Sequence, residues 1–134
     1  MTMKIYRDFK FEAAHFLPSA APGHPNSRVH GHSFRARILI EGEPSPETGL
    51  IVHFDELSKA VSDVKDALDH RMLNEVLGLE APTLERIAMW VWERVRARVP
   101  GLVEVQIVRD SFGEGCIYNG PKANNATDDV VRMA

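Results

Sequence analysis

The sequence has few of the features that mark secreted, membrane-spanning or nucleic-acid-binding proteins. It contains a single cysteine, Cys116, so no disulfide can form within the chain, and this fits a reducing cytoplasm. No apolar run approaches the ~20 residues that a membrane-spanning helix needs. The net charge of −3 gives no indication of a nucleic-acid or membrane partner. Because Asp8 and Glu12 interrupt the first residues, we expect no signal peptide.

What is present is the composition of an ordinary globular domain. Of the 134 residues, 44% are hydrophobic and 26% are charged, which is enough to build one substantial core. We expect a single domain over residues 1–120. Residues 121–134 have little apolar content and are predicted to form a C-terminal tail.

Three histidines fall on the inward faces of two predicted strands, over residues 4–15 and about 29–42. Residues two apart in a strand share a face, so His30 and His32 point the same way. Their row continues through apolar residues: Phe34, Ala36, Ile38 and Ile40. His15 ends a row of the same kind: Phe9, Phe11 and Ala13. Antiparallel pairing would bring the three imidazoles together, which suits Zn²⁺ with a fourth position left for water or substrate.

The alternative for each of these histidines is a hydrogen-bonded core residue, which is the commoner case for a lone histidine on an apolar strand. Two histidines at i and i+2 fit that explanation poorly, because burying both without partners costs on the order of several kcal/mol. A structural zinc normally has four protein ligands, usually including cysteine, and no cysteine is near in sequence. The pattern therefore favours an open, reactive metal site.

The rest of the chain predicts an α+β fold. Residues 16–28 contain three prolines and a glycine and are predicted to form a loop beside the metal. One helix begins after an N-cap at Asp55, and a second runs from an N-cap at Thr83 to Pro100-Gly101. Their inward residues follow helical spacing: Leu57, Val61, Val64 and Leu68, then Leu84, Ile87, Val91, Val95 and Val99. Strands at 103–107 and 115–119 complete a ββααββ order, an antiparallel sheet with two helices on one face.

Five motifs in this order resemble the 6-pyruvoyl-tetrahydropterin synthase family, and most closely its bacterial branch, 6-carboxy-tetrahydropterin synthase. They lie at residues 11–15 (FEAAH), 30–32 (HGH), 69–74 (DHRMLN), 82–85 (PTLE) and 115–120 (GCIYNG). The resemblance covers residues 4–120. It implies a T-fold (tunnelling fold), in which rings of subunits form a barrel with active sites at subunit interfaces. A homo-oligomer, a hexamer or a tetramer, is expected, and it would also hide the edges of a small sheet.

The resemblance also implies residue roles. Zinc would be held by His15, His30 and His32, and the substrate would be dihydroneopterin triphosphate. From the residues alone, a polar helix end is the favoured explanation of Asp69 and His70. The resemblance instead implies that they are the family's Asp-His pair, which supports a cysteine base.

The pterin ring of the family is anchored by a glutamate, and the corresponding residue is Asp110. Its carboxylate would accept hydrogen bonds from the amino-pyrimidine edge, with Glu114 the next candidate. Thr83 is a further candidate substrate-binding residue.

The chain departs from the family pattern at the catalytic base. The family cysteine lies four residues before the HGH motif, where this chain has Asn26, and an amide cannot act as a base. His24 is an alternative base. Cys116 falls where the family has a non-catalytic residue, so we interpret it as structural. His53 replaces a family aspartate and is either a surface histidine or part of a helix start.

The sequence therefore predicts a cytoplasmic, zinc-dependent lyase that breaks a carbon–carbon or carbon–oxygen bond of dihydroneopterin triphosphate or a related pterin. The bacterial branch of the family feeds synthesis of 7-deazaguanine-type bases such as queuosine. Activity should be weak or altered, because losing a general base costs typically about 10²–10⁴ in rate. The alternative is a T-fold protein that binds a pterin or a purine-like ligand without turnover.

Overall fold

The computed structural model describes residues 2–122, which form one sheet, two α-helices and three short 3₁₀ helices. The elements are β1 (Met3–His15), β2 (His30–Gly42), α1 (Phe54–Leu68), β3 (Arg71–Met72), α2 (Leu84–Arg96), β4 (Leu102–Arg109) and β5 (Glu114–Tyr118). The strands lie in the order β3-β1-β2-β4-β5. The predicted tail lies outside the described residues from residue 123 onward. Neither helix within the described range is long and apolar enough to cross a membrane.

The long antiparallel pair of β1 and β2 sets the geometry of the molecule. Their register places His15 opposite His30 and Ala13 opposite His32. Two pairs further along, Phe11 lies opposite Phe34, and the two rings stack with centroids 4.8 Å apart. The predicted pairing and face are therefore confirmed, and the register fixes all three histidines at one end of the sheet.

Both helices cover one face of the sheet. The inward residues predicted for α1 are all buried: Leu57, Val61, Val64 and Leu68. On α2, the buried residues include Ile87, Val91 and Val95 as predicted, and also Trp90 and Trp92, while Leu84 is only partly buried. Burying these side chains against the apolar sheet face is the main stabilising term of the fold. The predicted α+β architecture with two helices on one face is confirmed.

Two helix boundaries differ from the prediction. The N-cap of α1 is His53, and Asp55 lies in the first helical turn, where its charge still complements the helix dipole. The chain enters the helix earlier because the His53 carbonyl already accepts the backbone N–H of Glu56 at 3.0 Å. At the other boundary, α2 ends at Arg96 rather than at Pro100-Gly101, although Val99 remains buried as predicted.

The sheet is mixed, whereas the sequence predicted four antiparallel strands. The added strand, β3, has two residues and pairs parallel with β1 through Ala13 and Ala14. Two residues are too few to show an alternating pattern, so this strand had no sequence signal. It matters because it follows directly on Asp69-His70 and holds that pair beside β1.

Candidate metal and catalytic site

The three predicted ligands lie together at the end of β1 and the beginning of β2. His15, His30 and His32 each offer a ring nitrogen, and these nitrogens all lie within 4.8 Å of one another. The rings pack edge to face with centroids 4.6–5.1 Å apart. The strand register thus brings together the cluster that the two-residue spacing predicted.

Backbone carbonyls orient two of the imidazoles. His15 Nδ1 donates to the Pro82 carbonyl at 2.9 Å, and His30 Nδ1 donates to the Arg28 carbonyl at 2.8 Å. With Nδ1 protonated, each ring presents the lone pair of Nε2, which is the arrangement that carbonyl partners impose on metal-binding histidines. His15 is only 2% exposed, and its Nε2 has no hydrogen-bond partner in the described structure. A buried lone pair without a partner is costly, and a divalent metal would satisfy it, so the residues fit a metal.

The surroundings of His15 and His32 favour the neutral form of their imidazoles, which is the form that binds metals. Burial lowers the pKa of His15. Burial, together with the guanidinium of Arg109 and the other two histidines, lowers the pKa of His32 to about 4. Both rings are therefore neutral at pH 7, as metal ligation requires.

Asp69 and His70 form a direct pair, although they are adjacent in sequence. His70 Nδ1 lies 3.1 Å from Asp69 Oδ2, and the other carboxylate oxygen accepts the backbone N–H of Glu12 at 2.8 Å. His70 has φ 58°, a left-handed conformation that is rare outside glycine, and its own N–H donates to the Glu12 carbonyl at 2.6 Å. This turn allows neighbouring side chains to meet. The Glu12 N–H, more than any other contact, holds the pKa of Asp69 below its usual value.

The His70 imidazole is not part of the three-histidine cluster. Its side chain is 80% exposed and lines a cavity of about 550 Å³ with Glu12, Ser33 and His32. The Ser33 hydroxyl donates to Glu12 at 2.5 Å on the same wall. His32 is also a lining residue of this cavity, but its imidazole lies on the inward face of the sheet, with the cluster. Glu12 and Ser33 lie on the opposite face, so the cavity of the Asp69-His70 pair and the three-histidine cluster lie on different faces of the sheet.

Asn26 and His24 lie in one short turn of the loop between β1 and β2. The turn, Pro25–Ser27, is followed by Arg28, whose carbonyl orients His30. The His24 Nδ1 accepts the backbone N–H of Asn26 at 3.0 Å. The lone pair of neutral His24 is thus already used within the turn, which counts against His24 as a base. Asn26 is half-buried at the position predicted for the missing thiol.

Asp110 and Thr83 both have structural partners. The Asp110 carboxylate accepts two hydrogen bonds from Arg35, at 2.9 and 3.1 Å, and these hold its pKa below the usual value. Thr83 is the N-cap of α2, as predicted, and its hydroxyl accepts the backbone N–H of Arg86. Thr83 follows Pro82, the carbonyl partner of His15, so the start of α2 supports the three-histidine cluster.

Arg109, which was not among the residues predicted from the sequence, contacts the cluster directly. It is the last residue of β4 and shares the inward parity of Val105 and Ile107. A charged residue at an inward strand position was the available signal, because such a residue needs a specific partner. Phe112 follows in the next turn, and its exposed ring lies 5.3 Å from that of His32.

Cys116 lies half-buried on β5, where burial and the charge of Glu85 raise the pKa of its thiol. His53 is exposed and is the N-cap of α1, without a side-chain capping bond. Both predicted descriptions of His53, a surface histidine and a residue at a helix start, therefore apply.

Comparison with known proteins places this geometry in a family. Residues 4–121 match the sequence model of the family described as 6-pyruvoyl tetrahydropterin synthase. A 6-carboxy-5,6,7,8-tetrahydropterin synthase of Synechocystis is 42% identical over 112 residues, which cover 78% of this chain and 84% of that protein. A dihydroneopterin monophosphate aldolase of Pyrococcus furiosus is 39% identical over 111 residues, covering 83% and 88%. The Caenorhabditis elegans 6-pyruvoyl tetrahydropterin synthase structure superposes with a TM-score of 0.81 at 26% identity, covering 90% of this chain and 97% of that one.

Proposed function

Because the chain belongs to the 6-pyruvoyl tetrahydropterin synthase family, we propose that it is a zinc-dependent lyase acting on the side chain of a dihydroneopterin phosphate. The observation that carries the proposal is the convergence of three imidazoles on one point with the Nε2 of His15 buried and unpaired. Three neutral imidazoles and an open position are the ligand set of a catalytic zinc. When bound, zinc would polarise the side-chain hydroxyls of the pterin as a Lewis acid.

In this proposal His70 moves the proton. With Nδ1–H donated to Asp69, the Nε2 lone pair of His70 faces outward and can accept a proton from the substrate. Asp69 fixes this tautomer and stabilises the imidazolium that results. The bonds from Asp69 and from the His70 backbone to Glu12 keep the pair in position against β1.

The absence of a thiolate at Asn26 bears on which bond is broken. Removing a carbon-bound proton demands a stronger base than removing a hydroxyl proton. In an aldol-type cleavage the base takes a hydroxyl proton, the adjacent carbon–carbon bond breaks, and its electron pair goes to the carbon attached to the pterin, which is then protonated. Asn26 therefore favours aldol-type cleavage, which does not begin by removing a carbon-bound proton, and we propose dihydroneopterin monophosphate as the substrate. The aldolase relative, named for that monophosphate, supports this choice.

Product analysis tests the proposal. We expect the zinc-loaded protein to cleave dihydroneopterin monophosphate to a hydroxymethyl pterin and glycolaldehyde phosphate, and to convert dihydroneopterin triphosphate slowly. Chromatography of both reaction mixtures, with chelator-treated protein as the control, would detect these products. Binding of both pterins without any product would instead support the non-catalytic pterin-binding alternative.

His30→Ala is expected to lose most of its bound metal, because it removes one of three ligands. Metal analysis of the purified wild-type protein should give about one zinc per chain. His53→Ala is the matched control, since it removes an exposed imidazole that makes no capping bond with its side chain and should leave the metal content unchanged. Equal metal content in the His30→Ala and wild-type proteins would refute the ligand assignment.

Asp110→Asn is expected to weaken binding of a reduced pterin by about 1–3 kcal/mol, because it replaces one acceptor oxygen with a donor. The dissociation constant can be followed by pterin fluorescence. Arg35→Gln is the control, since it also breaks the Arg35–Asp110 pair but leaves the carboxylate in place. If affinity is unchanged in Asp110→Asn, the anchor is elsewhere, and Glu114 is the next residue to test.

We also propose that the protein works as a homo-oligomer, with pterin sites at subunit interfaces. The sheet face opposite the helices supports this, since Tyr6 is 51% and Ile117 66% exposed there. The mass in solution, measured by light scattering, distinguishes a hexamer or tetramer from a monomer. The cytoplasmic location and a role in supplying queuosine-type bases stay predictions.

A further inference from the structure

Arg109 brings a positive charge into contact with a predicted metal ligand. Its Nη1 donates to His32 Nε2 at 3.3 Å, and its Nη2 lies 2.5 Å from a carboxylate oxygen of Glu114. The Nε of Arg109 is buried and has no partner among the described residues. The side chain as a whole is only one-fifth exposed. The guanidinium therefore lacks part of the set of acceptors that a buried arginine normally has.

The position of Arg109 conflicts with a metal ion alone. The Nε2 lone pair of His32 cannot take both an arginine N–H and a metal ion, and a guanidinium repels a divalent cation beside it. Metal binding therefore requires Arg109 Nη1 to give up His32 Nε2. Glu114 is half exposed and supplies one negative charge, whereas a zinc ion and an arginine together carry three positive charges. An anionic ligand between the two cations would balance the site.

We propose that Arg109 is a specificity-determining residue that binds a phosphate oxygen of the substrate beside the metal. This inference rests on the proposed function and adds to it the residue that recognises the phosphate, Arg109. Arginine presents several N–H donors in a plane that matches phosphate oxygens, so its loss affects phosphorylated ligands selectively. The Phe112 ring centroid lies 5.9 Å from the Arg109 guanidinium carbon, within the range of a weak cation–π contact.

The test compares two ligands that differ only in the phosphate, 7,8-dihydroneopterin and its 3′-monophosphate. Binding to zinc-loaded wild-type protein, Arg109→Gln and Arg109→Lys is measured by titration calorimetry. We expect Arg109→Gln to weaken binding of the monophosphate by about 10- to 100-fold, because a charge-assisted hydrogen bond is lost. The same substitution should weaken binding of dihydroneopterin by less than about twofold. Arg109→Lys, which keeps the charge, should lose less. Arg96→Gln makes the same charge change on the exposed side of α2 and should affect neither ligand.

Zinc affinity is the second measurement, and here Arg109→Gln should strengthen binding instead of weakening it. In competition with a chromophoric chelator, Arg109→Gln should bind zinc several-fold more tightly than the wild-type protein, because the competing cation is gone. Equal losses for both pterins, or weaker zinc binding, would mean that Arg109 supports the structure of the site, and the inference would be overturned. If wild-type protein binds neither pterin, the proposed function itself fails. If the wild-type protein and both Arg109 variants bind the monophosphate and dihydroneopterin with equal affinity, only the inference about Arg109 fails.

Discussion

His70→Asn should lower the turnover of dihydroneopterin monophosphate by about 10²–10⁴, the usual cost of removing a general acid–base group. Asparagine is the informative replacement because His70 has φ 58°, and asparagine tolerates this left-handed conformation better than most residues. The backbone bond from residue 70 to Glu12 should therefore survive, and the loss would report on the imidazole alone.

Two measurements separate this chemical effect from a structural one. Zinc content and the thermal midpoint of His70→Asn should match those of the wild-type protein, because His70 lies outside the three-histidine cluster and is mostly exposed. The dissociation constant for the pterin should change little. Turnover within about threefold of wild type would mean that His70 does not carry the proton, and another group beside the cavity would have to be sought.

Asp69→Asn is a useful companion to His70→Asn, because its effect should have two parts. It replaces the acceptor that fixes the His70 tautomer, and it weakens the bond from the backbone N–H of Glu12. We therefore expect a lower turnover together with a lower thermal midpoint, whereas His70→Asn lowers turnover only. The same measurements thus distinguish the proton carrier from the residue that positions it.

Asn26→Cys should raise conversion of dihydroneopterin triphosphate by at least about tenfold, at the lower end of general-base effects. The substitution supplies the thiol that the resemblance places four residues before the HGH motif. A thiol near a bound zinc and histidines should have a lowered pKa, so that part of it is thiolate near neutral pH. Two hydrogen bonds of the Asn26 backbone hold the turn: its N–H donates to His24 Nδ1, and its carbonyl accepts the Leu17 N–H. Neither depends on the Asn26 side chain.

The experiment is cleanest in a Cys116→Ser background, where residue 26 carries the only thiol. The rate of thiol alkylation against pH then measures the pKa of the new thiol directly. Asn26→Ser is the matched control, since it is small and polar but offers no thiolate, and it should stay as slow as wild type. Fast turnover of the triphosphate by wild-type protein would contradict the expectation, because it would mean that a base is already present. An inert Asn26→Cys protein that binds zinc and pterin normally would show that the site has diverged at more than this residue.

The three-histidine cluster is the part of the site that could be predicted from sequence, and the reason is local geometry. Residues two apart in a strand share a face whatever the rest of the fold does, so His30 and His32 had to point the same way. An apolar row in each strand identified which face is inward, and the antiparallel register then placed His15 opposite His30. The N-cap at Thr83 was predictable for the same reason, because a capping hydroxyl acts on a backbone N–H three residues away.

The start of α1 shows the limit of such local patterns. Asp55 has the right side chain for an N-cap, but the helix begins at Phe54 after His53, which makes no capping bond with its side chain. An acidic residue in the first turn is nearly as favourable as one at the cap, so the sequence signal alone is ambiguous by one or two residues.

Contacts between segments far apart in the chain were decided only by the tertiary structure. The pairing of Asp69 with His70 depends on the left-handed turn at residue 70, which is held by Glu12, 58 positions earlier. Arg109 reaches His32 across 77 positions because β4 lies beside β2. No spacing rule links such residues, since their distance is set by strand order and register. The sequence by itself determined which side chains could hold a metal, and the packing of the sheet determined which charged groups surround it.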